Sequence, residues 1–115
     1  MYQLQEIFKA LSDGTRLRIL KLLSVRPLCV YRLTQILDTS QSSISRHLGV
    51  LKKAGLVRDT REGQRVRYRI EPADSNPYAR PLLELVDRLL EGEEVVIRDR
   101  KKLSETEAHL PRSTR

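Results

Sequence analysis

The stretch Ser40-Gln41-Ser42-Ser43-Ile44-Ser45-Arg46-His47 is rich in short hydrogen-bonding side chains and is followed by Lys52 and Lys53. Such groups can do two kinds of chemistry. Serine becomes a nucleophile only beside a general base, and catalysis by other routes needs a metal site or a phosphate-binding loop. None of these can be read from the spacing: His47 and His109 have no partner arrangement, Cys29 is the one cysteine, and the five glycines form no phosphate-cradling run. No catalytic residue, metal-ligand set or cofactor is assigned, and the chain is not read as an enzyme. What remains is recognition, in which hydroxyl and amide groups meet base edges and cationic groups meet phosphates.

The charge distribution points the same way. The chain carries a formal charge of +7, which favours a polyanionic partner without separating nucleic acid from an acidic membrane surface. From Gln41 to Ile70, however, eight basic residues stand against two acidic ones, Asp59 and Glu62, so nearly all of the excess lies in one stretch. A solvated strand face is the plain alternative for such a run. Its concentration beside the serine-rich segment favours a binding surface.

The elements that must position these groups follow from periodicity. Leu4, Ile7, Phe8 and Leu11 recur at helical spacing, and Ser12-Asp13-Gly14 supplies cap and turn chemistry before a second helix that carries Leu17, Ile19, Leu20, Leu22 and Leu23. Pro27 ends it; Val30, Leu33 and Leu37 mark a third helix, and Asp38-Thr39-Ser40 the next turn. A fourth helix starts at Gln41 with Ile44, Leu48 and Leu51 on one face, and Gly55 stands where a left-handed C-terminal residue is wanted. The period then changes to two: Val66, Tyr68 and Ile70 alternate with Arg65, Arg67 and Arg69, opposite a strand from Leu56 to Arg61 across Glu62-Gly63-Gln64. After a polar link, a last helix carries Leu82, Leu83, Val86, Leu89 and Leu90 and is expected to continue past Gly92 to Leu103. Residues 104–115 lack apolar periodicity and are expected to form a flexible tail.

The predicted fold is mainly α with a small β-hairpin, a winged helix-turn-helix of order α-α-α-α-β-β-α in residues 1–103. On the fourth helix, a step of about 100° per residue puts Leu48 and Leu51 within roughly 40° of Ile44, while Ser42, Ser45, Arg46 and Lys53 face outward. Gln41, Ser42, Ser45 and Arg46 are the base-edge candidates. Ser40 as N-cap, Ser43, Lys52 and Lys53 complete the helix set, and Arg61, Gln64, Arg65 and Arg67 on the hairpin could reach phosphates or an adjacent minor groove. His47, about 60° from the core centre, is open to either a packing or a DNA role.

No apolar run approaches the roughly 20 residues of a membrane span, and the amino terminus does not read as a secretory signal. A cytoplasmic location is expected, and the single cysteine agrees with a reducing compartment.

At these residues the chain resembles the ArsR family, also called ArsR/SmtB, of bacterial winged-helix repressors. The similarity lies in ALSDGTRLRILKLL (Ala10 to Leu23), PLCVYRLTQIL (Pro27 to Leu37), SQSSISRHLGVLKKAGLV (Ser40 to Val57) and the basic segment EGQRVRYRI (Glu62 to Ile70). The resemblance implies a homodimer joined through its first and last helices, bound to a palindromic operator in double-stranded DNA and released by an effector. Arsenic and cadmium sensors of the family carry C-x-C where this chain has Cys29-Val30-Tyr31, and one cysteine per chain gives a dimer two sulfurs where trigonal arsenite needs three. Zinc sensors carry an aspartate and histidines in the last helix; here Leu89 follows two residues after Asp87, and His109 is assigned to the tail. Gly14 stands where proline is usual. No metal site is expected, and the effector is open. Two alternatives remain: a winged helix serving as a protein-interaction module, and a redox-responsive regulator using Cys29, whose place near a helix start could lower its thiol pKa.

Overall fold

The computed structural model describes residues 1–109, with side chains through Glu105. Along the chain run α1 (Tyr2–Leu11), α2 (Gly14–Leu23), β1 (Leu28–Cys29), α3 (Val30–Leu37), α4 (Gln41–Lys53), β2 (Val57–Glu62), β3 (Arg65–Ile70), α5 (Ala79–Leu89) and α6 (Glu94–His109). The first boundary is set by Asp13, whose carboxylate accepts from the Arg16 amide at 3.0 Å and so caps α2. That bond favours the ionised form and, with other contacts around it, lowers the Asp13 pKa. Ile44, Leu48 and Leu51 are fully buried, and with Ile7, Leu22 and Leu33 they form the centre of the core. Of the stripe on α1, Ile7 is fully buried whereas Phe8 remains 54% exposed.

Three features differ from the order expected from the sequence. β1 adds a third strand, in the antiparallel order β1-β3-β2, by pairing Leu28 with Tyr68 and Cys29 with Arg67. Two residues are too few to show a period, so the strand is fixed by its partner. The last helix is two helices, α5 and α6, parted at Leu90 to Glu93, where the Glu91 carboxylate takes hydrogen bonds from Lys21 at 2.7 Å and Arg100 at 2.7 Å. Finally, α6 runs past Leu103 through Ser104 to His109, so the histidine assigned to a flexible tail stands on the last helical residue. Glu and Ala favour helix without contributing an apolar stripe, which is why periodicity ends earlier than the helix. Residues 110–115 of the expected tail lie outside the described residues.

The hairpin is in register from Val57↔Ile70 to Glu62↔Arg65, which leaves Gly63 and Gln64 as a two-residue turn. Gly63 has φ +64, the positive value needed at the first central position of a tight hairpin. At the carboxyl end of α4, Gly55 has φ +80, and a Cβ there would lie 3.2 Å from Ala73 Cβ. The link after β3 closes on this point: the Ala73 amide donates to the Gly55 carbonyl at 2.9 Å, and buried Asn76 donates through Nδ2 to the Ala54 carbonyl at 3.2 Å. α4 and the hairpin are thus held by one turn.

Helix α6 returns across α2 and α3 through charged contacts. Arg18 on α2 makes a bidentate pair with Asp99, 2.8 Å for each bond, and Lys102 donates to the Ile36 carbonyl at 3.2 Å. Asp99 is 5% exposed. Its carboxylate, hydrogen-bonded to the guanidinium, raises the Arg18 pKa. Among the described residues, no helix is long and apolar enough to cross a membrane.

Candidate nucleic-acid interface

The helix-turn-helix is made by α3, the turn Asp38 to Ser40 and α4. Asp38 closes α3 in the left-handed region with φ 52, a conformation that a short polar side chain tolerates better than a branched one. Ser40 then caps α4: its Oγ accepts from the Ser43 amide at 3.2 Å and lies 3.3 Å from Ser42 Oγ. The amino end of α4 therefore presents hydroxyl groups and first-turn amides at its positive pole.

Ser40, Gln41, Ser42, Ser45, Arg46 and Lys53 are exposed, and Ser42, Ser45, Arg46 and Lys53 lie on the side of α4 away from Ile44, Leu48 and Leu51. Ser43 is half-buried. His47 is also half-buried and faces α2, where Arg16 donates through its terminal guanidinium nitrogen to His47 Nδ1 at 3.2 Å. Acceptance at Nδ1 requires a neutral ring. Desolvation pushes the His47 pKa below 6.5; nearby Asp13 opposes that shift, while Arg16 and Arg46 add to it. The structure thus places His47 in a packing contact with α2.

On the hairpin, Arg61, Gln64, Arg65 and Arg67 are all exposed. The cations differ in what they already hold. The side chains of Arg46, Lys53, Arg61 and Arg65 make no hydrogen bond or ion pair among the described residues. Arg67 Nε lies 3.6 Å from a Glu62 oxygen, and Lys52 is paired with Asp59 on β2 at 2.8 Å. This last pair spans from α4 to the hairpin, and the hydrogen bond from Lys52 lowers the Asp59 pKa. At the base of the hairpin, Glu71 accepts from Arg58 at 2.6 Å and Arg69 at 3.0 Å, which lowers the Glu71 pKa and takes both arginines out of the free set.

Spacing did not single out Arg16, yet it holds three segments together: Nε donates to the Ala10 carbonyl at 2.7 Å, a second nitrogen to the Lys9 carbonyl at 3.0 Å, and the third reaches His47. A cation after a helix end is its one sequence signal, since Arg16 closes the carboxyl end of α1 from the first turn of α2. Cys29 is half-buried at the start of α3 and forms no side-chain cap bond. Among the described residues no group of three or more His, Cys, Asp or Glu gathers to hold a metal ion.

Residues 13–59 match the model of the bacterial regulatory proteins of the arsR family. The arsenical resistance operon repressor of Escherichia coli K12 is 48% identical over 68 residues, 58% of this chain and 58% of that protein. This chain spans little more than half the length of the arsenic-resistance regulators it matches. The HTH-type transcriptional regulator MJ1325 of Methanocaldococcus jannaschii is 42% identical over 85 residues, covering 73% of this chain and 91% of that one. Among solved structures, the homodimeric winged helix-turn-helix DNA-binding domain Mb0332 of Mycobacterium bovis superposes with a TM-score of 0.62 at 33% identity, over 80% of this chain and 85% of that chain. A helix-turn-helix with its basic hairpin, in a chain that matches the arsR family model and is 30% identical to the ArsR family transcriptional regulator RHA00566 over 80% of this chain and 94% of that one, places the protein in the ArsR family.

Proposed function

We propose that this chain is a dimeric, sequence-specific transcriptional repressor. Two copies joined through the first helix and α5, the first part of the expected last helix, place two α4 helices on a palindromic operator, and an effector alters that affinity. The observation that carries the reading is the joint exposure of Ser42, Ser45 and Arg46 on α4 and of Arg61 and Arg65 on the hairpin, whose arginine side chains make no hydrogen bond or ion pair among the described residues, with Lys52 and Asp59 tying helix to hairpin. Hydroxyl and guanidinium groups near the amino end of α4 suit base edges, and the hairpin cations suit the flanking backbone. Lys53 suits a phosphate further along the helix.

The relatives support the same reading: the E. coli protein is an operon repressor and the M. bovis domain is a homodimeric DNA-binding domain. Apolar side chains left in solvent on α1 and α5, with Phe8 54% and Leu89 68% exposed, favour a dimer that covers them. The protein acts in the cytoplasm as a regulator and not as an enzyme. Its effector is not held by a thiolate cage, because one cysteine per chain supplies too few sulfurs.

Footprinting on the DNA upstream of its own gene tests this. Two protected half-sites about 34 Å apart, one DNA turn, are expected. Affinity should fall steeply with salt as counterions are released. Absence of protection, or affinity independent of salt, would overturn the proposal.

A further inference from the structure

A cavity of about 580 Å³ opens between the end of α2, the loop before β1, the end of β3 and α5. Small-molecule sites fall in the range of about 300–1,000 Å³ and pair an apolar wall with a few polar groups. Here the wall includes Leu23, Ile70, Leu83 and Val86. The charged lining is cationic in balance: Lys21, Arg26, Arg69 and Arg80 against Glu84 and Asp87.

Most of these charges are already matched. Lys21, 3% exposed, donates to Asp87 at 2.8 Å and to Glu91 at 2.7 Å, and with Arg100 it holds the Glu91 carboxyl down at about 2. Arg69 is bonded to Glu71. Arg80 differs, since it lines the cavity with no hydrogen bond or ion pair among the described residues. Glu84 lies one turn further along α5 and does not pair with it; this basic-before-acidic order is the poorer one for a helical ion pair.

The cavity and the dimer surface use different sides of α5. A step of about 100° per residue places Arg80, Leu83, Glu84, Val86 and Asp87 in an arc of roughly 160°, with the exposed Leu85 and Leu89 outside it. The cavity walls also join the base of the hairpin, where Ile70 pairs with Val57, to a helix of the proposed dimer contact.

We propose that this cavity is an effector site for a small organic anion, an apolar body bearing a carboxylate that seats on Arg80, and that its occupancy changes operator affinity. The regulatory half rests on the function proposed above; the binding half does not.

Amide proton–nitrogen NMR spectra of the full chain test the site directly, with decanoate, 4-phenylbutyrate and 2-naphthoate as probes and 4-phenylbutan-1-ol as the neutral control. Saturable shifts at Leu23, Ile70 and Leu83 are expected with at least one carboxylate, weakened at least about tenfold for the alcohol and in Arg80→Glu, whose spectrum otherwise stays native. A probe concentration of about 5 mM fills most sites even at millimolar Kd. No saturable shift there at that concentration, or undiminished binding by Arg80→Glu or by the alcohol, would overturn the site. A bound probe should change operator affinity at least about threefold; no change would overturn the regulatory half alone. Cavity shifts in a chain that binds no operator would instead overturn the functional reading and leave the site standing.

Discussion

The Lys52 ammonium on α4 lies 2.8 Å from the Asp59 carboxylate on β2. The pair ties the helix proposed to enter the major groove to the hairpin beside it, and it spends one of the cations that composition alone would assign to phosphates. Both partners are partly exposed, so its effect on stability is small. Its effect on orientation is separable by charge. Asp59→Ala frees Lys52 and removes a negative charge, so affinity for random DNA should rise. Affinity for the operator should rise less, which lowers discrimination by roughly two- to fivefold, the scale of an exposed pair. Competition binding measures this; an equal rise on both DNAs would show that the pair has no positioning role.

Arg46 and the hairpin arginines should separate by the kind of contact they make. Arg46→Ala removes a candidate base contact, and discrimination between operator and random DNA should fall about tenfold or more. Arg61→Ala and Arg65→Ala remove cations that pair with none of the described residues, so each should weaken both DNAs alike and reduce the salt slope by about 1. Arg67→Ala should do less, because Glu62 already lies 3.6 Å from its guanidinium. Binding isotherms over a salt series would refute this division if Arg46→Ala changed the slope without changing discrimination.

The main frame was legible because its signals are local. The inward face of α4 follows from Ile44, Leu48 and Leu51, and the hairpin from alternation ending at Gly63. What escaped depends on distant partners. β1 exists because Tyr68 and Arg67 lie opposite Leu28 and Cys29, and the division of α5 from α6 lies beside an ion pair between Lys21 and Glu91, 70 positions apart. For the candidate residues, type was legible but not state: the sequence shows that Lys52 and Arg46 are both basic, and only the fold shows that one is paired with Asp59 while the other pairs with none of the described residues.

His47 supplies a pH dependence whose sign is fixed. Burial lowers its folded pKa below the ordinary 6.5, so between those values the unfolded chain takes up a proton that the folded chain refuses. The stability contribution is present above 6.5 and is lost as pH falls through the folded pKa. Protonation also removes the lone pair that accepts from Arg16. Melting temperatures followed from about pH 7.5 down to about pH 5 should fall more for the wild type than for His47→Gln, and NMR titration should place His47 below 6.5. A titration midpoint at or above the ordinary value would refute the assignment.

Arg18 and Asp99 hold α6 on α2 through a pair whose two members differ in exposure, 30% and 7% for their side chains. That asymmetry predicts which change is costly. Arg18→Leu leaves the Asp99 carboxylate inside without its cation, and stranding a buried charge costs about 3 kcal/mol. In a domain of this size such a loss lowers Tm by about 10 °C or more. Replacing both residues, Arg18→Leu with Asp99→Leu, removes the charge together with its desolvation cost and should recover most of the loss, because a buried pair contributes little net stability over an apolar one. Urea unfolding of both single variants and the double gives the coupling directly. If the double variant were as unstable as Arg18→Leu, the pair would not be what docks α6.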